Sequence, residues 1–375
     1  MRLLIIEYRD ITHPEAGGAE VILQEVFKRI VAAGHEVDYL CNRHPGAKDE
    51  EFIDGIRFIR RGQQPYFNLL APWVYRSELR KNKYDVIVEG IDKLPFFMPL
   101  FQHEVPVLCI VPHLFGTTVF REASLPAGAY VYAHEKLIPR VYRKCLFSVL
   151  SQGTRDDLIR RGVSAGNIQV IYSGLSQEQY SAPLEKPASD HPVLLYLGRI
   201  KKYKGIELGL QAVQRLRDKY PTIEYQIVGA GDYLDALRGL TEQMGLSRNV
   251  TFTGIKRGQE KTELLQRASL LLYTSPKEGW GLSVVEANTC GTPVVASDSP
   301  GLRESVVDGK TGFLVPHGDV QELANRIDEM LSDPLLYRRM RGEAIVWGRR
   351  FTWERSVQET LELIGRARAE FGRRA

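Results

Sequence analysis

A chain of 375 residues is longer than one ordinary hydrophobic core organises, so two domains are expected. It is 43% hydrophobic and 26% charged with a formal net charge of +4, a globular balance that gives no ground for nucleic-acid binding by itself. No run approaches the roughly 20 apolar residues of a membrane-spanning helix, and the N-terminus reaches Glu7 too early for a secretory leader. Cys41, Cys109, Cys145 and Cys290 lie far apart with no C-x-x-C, which argues against a zinc knuckle or disulfide framework and for a reducing cytoplasm.

Leu3-Leu4-Ile5-Ile6 is a short apolar run of the buried parallel-strand kind. Gly17-Gly18-Ala19-Glu20 follows, and Ile22, Val26 and Ile30 then recur at helical spacing through 21–33, where Gly34 ends the helix. Residues 35–40 read as the next strand. Strand, glycine loop, helix and strand open a doubly wound α/β domain. Gly17 and Gly18 can bring backbone N–H groups to a phosphate or sugar, although a tight turn alone would use the same residues. Strands at 85–89 and 107–111 continue the sheet, and the second ends in Pro112-His113. His113 thus stands at a strand's carboxyl end, where open α/β sheets bind ligands; a lone histidine there also serves as a structural hydrogen-bonder. Strands at 146–151 and 168–171 complete this half.

The stretch 181–192 is polar, carries Pro183 and Pro187 and has no period, so it reads as a linker between a domain over 1–180 and another over 193–352. Residues 193–198 start the second α/β unit, and Ile206, Leu210, Val213 and Leu216 mark the helix that follows. Strands are predicted at 224–229, 250–254, 293–297 and 312–315, with helices from about 320. A last helix, within 353–375, is expected to pack back on the first domain.

Between strand and helix lies Gly198-Arg199-Ile200-Lys201-Lys202-Tyr203-Lys204-Gly205. Arg199 offers a planar fork of donors and Lys204 a point charge, a pair suited to a diphosphate; a solvated basic loop is the other reading. Gly229-Ala230-Gly231 begins like a dinucleotide fingerprint, but Leu234 stands where its third glycine belongs, which counts against a dehydrogenase. The chain is organised around Ser275-Pro276-Lys277-Glu278-Gly279-Trp280-Gly281-Leu282-Ser283, ahead of Glu286. An apolar strand precedes it and a helix follows. That helix start presents unpaired N–H groups to an anion, and two carboxylates flank it as acceptors for hydroxyls.

Together these stretches resemble the retaining glycosyltransferases of family 4, as do Gly291-Thr292-Pro293-Val294-Val295-Ala296-Ser297-Asp298 and the run from Glu304 to Val315. The resemblance implies a GT-B fold, two Rossmann-like domains facing across a cleft, and a nucleotide-diphosphate sugar as donor, with no metal cofactor. It implies that Arg199 and Lys204 neutralise the diphosphate, Glu286 accepts from ribose hydroxyls and Glu278 holds the sugar. Leu282 and Ser283 would cap the distal phosphate, with Gly279 and Gly281 shaping that loop. Gly17 and Gly18 would approach the same phosphate, His113 would contact the sugar or the reacting centre, and Gly254 and Ile255 would face the base. Catalytic roles fall to Arg199, Lys204, Glu278 and His113. Trp280 stands where the family more often has Phe or Tyr, which is expected to reshape the sugar pocket. Retention would proceed by front-face attack, with a covalent Glu278 intermediate as the competing version.

The acceptor is expected to be lipid-linked, a glycan or a small hydroxyl compound. Residues 56–84 hold seven basic side chains against one acid, Glu78, with Tyr66, Phe67, Trp73 and Tyr75 interleaved. Such a stretch suits an anionic membrane surface, hence a peripheral place on the inner face, and equally a solvated basic face. A sugar-nucleotide epimerase or hydrolase is the alternative on this fold. A non-catalytic or nucleic-acid-binding protein is the alternative of another class, and no recognition-helix or zinc pattern supports it.

Overall fold

The computed structural model describes residues 1–63, 66–92, 94–121, 124–186 and 190–373. Pro187, Ala188 and Ser189 of the expected linker, and the last two residues of the expected C-terminal helix, lie outside them. The chain divides into two units, Met1–Gly174 with the stretch from Trp353, and Leu175–Thr352. The division falls after Gly174 rather than at 181–192, and the described residues of that stretch belong to the second unit.

The first unit contains β1 (Arg2–Ile6), α1 (Gly18–Ala32), β2 (Glu36–Cys41), β3 (Glu50–Ile53), β4 (Ile56–Arg60) and α2 (Phe67–Val74). It continues through β5 (Val86–Gly90), α3 (Met98–Phe101), β6 (Val107–Val111), α4 (Leu125–Val141), β7 (Leu146–Val149), α5 (Gln152–Arg160) and β8 (Ile168–Val170). The sheet order is β3-β4-β2-β1-β5-β6-β7-β8, parallel except for the β3–β4 pair. Leu3, Leu4, Ile5 and Ile6 are wholly buried, as a strand covered on both faces requires. α1 begins at Gly18, three residues before its apolar period, because the Glu20 carboxylate accepts from the N-cap Gly17 N–H at 2.7 Å.

The β3–β4 hairpin is the element that hydrophobic spacing missed. Its two-residue turn is Asp54-Gly55, with φ of +50° and +79°, the left-handed pair that hairpin twist favours. The hairpin changes the meaning of the basic stretch. Arg60 is 1% exposed and pairs with Asp10 and Glu51; Arg57 pairs with Glu50, Arg61 with Glu50 and Glu78, and Arg80 with Glu104. Four of the seven basic groups are therefore neutralised by acids that sequence distance concealed. Burial raises the Asp10 carboxyl, yet the Arg60 and Thr12 hydrogen bonds outweigh it and hold that carboxyl below its ordinary range.

The second unit contains β9 (Val193–Leu197), α6 (Ile206–Leu216), β10 (Glu224–Val228), α7 (Leu234–Gln243), β11 (Val250–Gly254), α8 (Gly258–Arg267) and β12 (Leu270–Tyr273). α9 (Leu282–Thr289), β13 (Val294–Ser297), α10 (Leu302–Ser305), β14 (Gly312–Val315), α11 (Val320–Ser332) and α12 (Pro334–Gly348) follow. The sheet is all parallel in the order β11-β10-β9-β12-β13-β14, so strand order reverses between β9 and β12. Asp319 and Asp333 cap α11 and α12. The last helix, α13 (Trp353–Gly372), belongs to the first unit, where Trp353 lies under the Arg29 guanidinium of α1. Among the described residues no helix is long and apolar enough to cross a membrane.

Candidate active site

Reversal of strand order opens a crevice at the carboxyl ends of β9 and β12, the place where doubly wound sheets bind ligands. The loop leaving β9 carries Arg199 and Lys204, and the loop leaving β12 carries Glu278. Close backbone packing fixes the first loop. A Cβ on Gly229 would lie 1.9 Å from the Gly198 carbonyl, and one on Gly231 would lie 2.0 Å from that of Ile200. The Gly-x-Gly sequence thus serves a close approach to the chain's own backbone, with Ile200 N donating to Ala230 O at 2.9 Å. The Tyr196 hydroxyl donates to the Arg199 carbonyl at 2.8 Å, while the Arg199 residue is exposed.

Lys204 and Glu278 meet. The Lys204 Nζ lies 2.5 Å from Glu278 Oε1, with side-chain exposures of 7% and 13%. The Tyr203 and Tyr273 rings stand 5.1 and 5.5 Å from the ammonium. Burial alone would lower the lysine's pKa, but the Glu278 charge outweighs it and holds the value above the ordinary lysine range. The same surroundings push the Tyr273 hydroxyl up to about 12, through burial first and Glu278 next. Thr274 Oγ1 donates to the Gly205 carbonyl at 2.7 Å and ties the end of β12 to the lysine loop.

The Glu278 loop rests on another close approach. Gly301, at φ +81°, leaves room for the Glu278 carbonyl, which a Cβ would meet at 2.4 Å. Gly281, at φ +83°, is the N-cap of α9 and makes no side-chain cap, so Leu282 and Ser283 stand half-buried at an uncapped helix start. Gly279 is half-buried beside Glu278. Trp280 turns inward: it is 3% exposed and packs edge-on against Phe351 at 5.0 Å. Its side chain is buried beside Phe351, a placement that burial of a large apolar ring favours. Gly254 (φ +72°) ends β11 in open space, and Ile255 beside it is 61% exposed.

Glu286, on the buried face of α9, is 3% exposed. Its Oε1 accepts from the Lys261 Nζ of α8 at 2.6 Å, and that ammonium stands 5.4 Å from the Tyr180 ring. Each of the two carboxylates is therefore held by a lysine that rests on a tyrosine. Lys261 and Tyr180 had no sequence signal, since they come from elements distant in the chain.

In the first unit, strand order reverses between β1 and β5. The Gly17 N–H is already engaged by Glu20, whereas a Cβ on Gly18 would meet nothing within 4 Å. Burial and then the Asp92 charge push the Glu20 carboxyl up. His113 Nδ1 lies 4.0 Å from Asp92 Oδ1, and its ring meets Phe115 edge-on at 5.0 Å. The loop behind it is pinned by the buried Glu135, which accepts from the N–H groups of Phe115 and Gly116 at 2.7 and 2.8 Å. Asp92 and Glu135 are neighbours of His113 and its loop that spacing did not reveal.

Residues 16–179 match the model of glycosyltransferase family 4, and residues 177–347 that of glycosyl transferases group 1. The chain belongs to glycosyltransferase family 4. It is a glycosyltransferase with the GT-B fold. It is 27% identical over 373 residues to a glycogen synthase of Mycobacterium tuberculosis, covering 90% of this chain and 88% of that one. Among solved structures, sucrose-phosphate synthase from Thermosynechococcus elongatus superposes with a TM-score of 0.83 at 24% identity, covering 98% and 99% of the two chains. Anabaena Alr3699/HepE in complex with UDP and glucose gives 0.77 at 20% identity, covering 97% and 99%.

Proposed function

We propose that this glycosyltransferase moves a hexose-type sugar from a nucleotide-diphosphate sugar to a hydroxyl acceptor with retention, a UDP-sugar being favoured and GDP-mannose next. The Lys204–Glu278 pair at the switch point of the second sheet carries the reading. An ammonium has three donors, so one can hold Glu278 while others meet the diphosphate. Arg199, exposed at the same loop, adds a second cation to the departing nucleoside diphosphate, and the α9 start adds backbone N–H groups. Glu278 takes sugar hydroxyls and Glu286 those of the ribose. In front-face transfer the acceptor oxygen bonds the anomeric carbon as the carbon–phosphate oxygen bond breaks, and the acceptor proton passes to that phosphate oxygen. The bound UDP and glucose of Alr3699/HepE support the donor class. The reaction is taken to need no metal cofactor.

His113 beside Asp92 is assigned to the acceptor side. A lipid-linked acceptor is supported by Tyr66, Leu69 and Trp73, 72%, 65% and 62% exposed along one face of α2 and the residue before it. A glycan acceptor needs no such patch, and the paired arginines narrow the cationic contribution of this stretch. The test is a thermal-shift panel of UDP, GDP, ADP and their sugars, with and without EDTA. One nucleotide family should raise the midpoint, EDTA should leave the shift intact, and Arg199→Ala should abolish it. The anomeric configuration of a transferred sugar then tests retention. Absence of any shift would remove the donor assignment.

A further inference from the structure

Glu278 and Glu286 are held alike, yet only the lysine beside Glu278 stands in a basic loop that draws notice. Glu286 is 3% exposed, and one of its oxygens is taken by Lys261 at 2.6 Å. Its Oε2 meets no donor at full hydrogen-bond geometry among the described residues, and the Tyr180 hydroxyl acts on the same carboxylate. The Lys261 ammonium is confined on two sides, by the carboxylate and by the Tyr180 ring at 5.4 Å, while its side chain remains 20% exposed. Tyr180 is itself buried, and burial followed by the Glu286 charge raises its hydroxyl far above the ordinary range.

A carboxylate among apolar neighbours needs a counter-charge to serve as a hydrogen-bond acceptor, and it needs one fixed rotamer to read a pair of hydroxyls. We propose that Lys261 is the positioning residue of the ribose-reading carboxylate: by occupying Oε1 it aims Oε2 of Glu286 at the ribose of the donor nucleotide. Lys261 would act through Glu286 and touch no reacting atom. Its selectivity is therefore for ribose over sugars lacking the 2′ and 3′ hydroxyls, independent of base. The proposal rests on the assignment of Glu286 to the ribose.

Ribonucleotides and their 2′,3′-dideoxy counterparts separate this role from general effects of the charge. Calorimetric titrations would use UDP, GDP and ADP, each with its dideoxy form, on the full chain. Lys261→Met should weaken the preferred ribonucleotide about tenfold or more, the worth of one charge-assisted hydrogen bond, and the dideoxy form less than about twofold. Lys261→Arg should restore most of the preference, which a merely structural role of the helix would not require. An equal loss on both forms would overturn the proposal, because Lys261 would then act on the diphosphate or on the fold. Tighter ribonucleotide binding by Lys261→Met would also overturn it, showing that the lysine competes with the ribose. Glu286→Gln tests the parent reading separately. If that variant keeps the ribose preference, or if no nucleotide binds the wild type, the ribose assignment fails and the role of Lys261 falls with it.

Discussion

Replacing Lys204 by Met removes the ammonium and keeps a stem of similar length against Tyr203 and Tyr273. Glu278, 13% exposed in its side chain, then keeps its charge position without the partner now 2.5 Å away. Removing one member of a buried ion pair typically costs about 3–5 kcal/mol, since the remaining charge is left uncompensated. The rim of this site is partly open, so the lower end of that range is expected, about 3 kcal/mol. The Lys204→Met, Glu278→Gln double variant should recover more than half of the loss, because it leaves no unpaired charge. The assay is urea unfolding followed by fluorescence, with hydrogen exchange of residues 270–290 assigning the transition to the second unit. A cost under about 1 kcal/mol, or a double variant no more stable than Lys204→Met, would refute the buried-pair argument. Transfer activity should be lost in both variants, so stability and function are read independently.

Glu89 is wholly buried, and burial pushes its carboxyl from 4.5 up to about 7 against hydrogen bonds from Tyr142, Phe96 and Met98. A carboxyl that holds its proton more tightly when folded makes stability fall as pH rises from about 4.5 to 7, by about 3 kcal/mol in all. Glu89→Gln should therefore melt close to wild type at pH 5 and several degrees higher at pH 8; a pH-independent difference would contradict this. Trp280→Ala should cost about 3–5 kcal/mol through the cavity left against Phe351, and Trp280→Phe much less, with nucleotide affinity barely moved by the Phe variant. Loss of affinity without loss of stability in Trp280→Phe would return the ring to the pocket wall. Gly301→Ala places a Cβ against the Glu278 carbonyl at φ +81° and should cost about 1–3 kcal/mol while weakening nucleotide binding, as thermal shift would show.

The strand at residues 3–6, the glycine loop and helix after it, and the β12–loop–α9 junction were legible because each rests on local pattern. An apolar run of four or five residues must be covered on both faces, and a glycine at a helix start has few other uses. The order of motifs around Arg199, Lys204, Glu278 and Glu286 also carried the family and its GT-B fold. The Asp54-Gly55 turn was legible by the same logic, yet the flanking polar residues broke the apolar pattern and hid the hairpin. Pairing was not legible. Arg60 finds Asp10 fifty residues away, Lys204 finds Glu278 across 74 residues, and Lys261 finds Glu286 across 25. Charge along the chain therefore overstated the basic stretch at 56–84, and an aromatic in a motif concealed that Trp280 points into the core. Sequence fixes which local units can form, because backbone geometry and side-chain period act between near neighbours. The sheet order decides which charges face each other, because ion pairs act through space and only the assembled fold sets those distances.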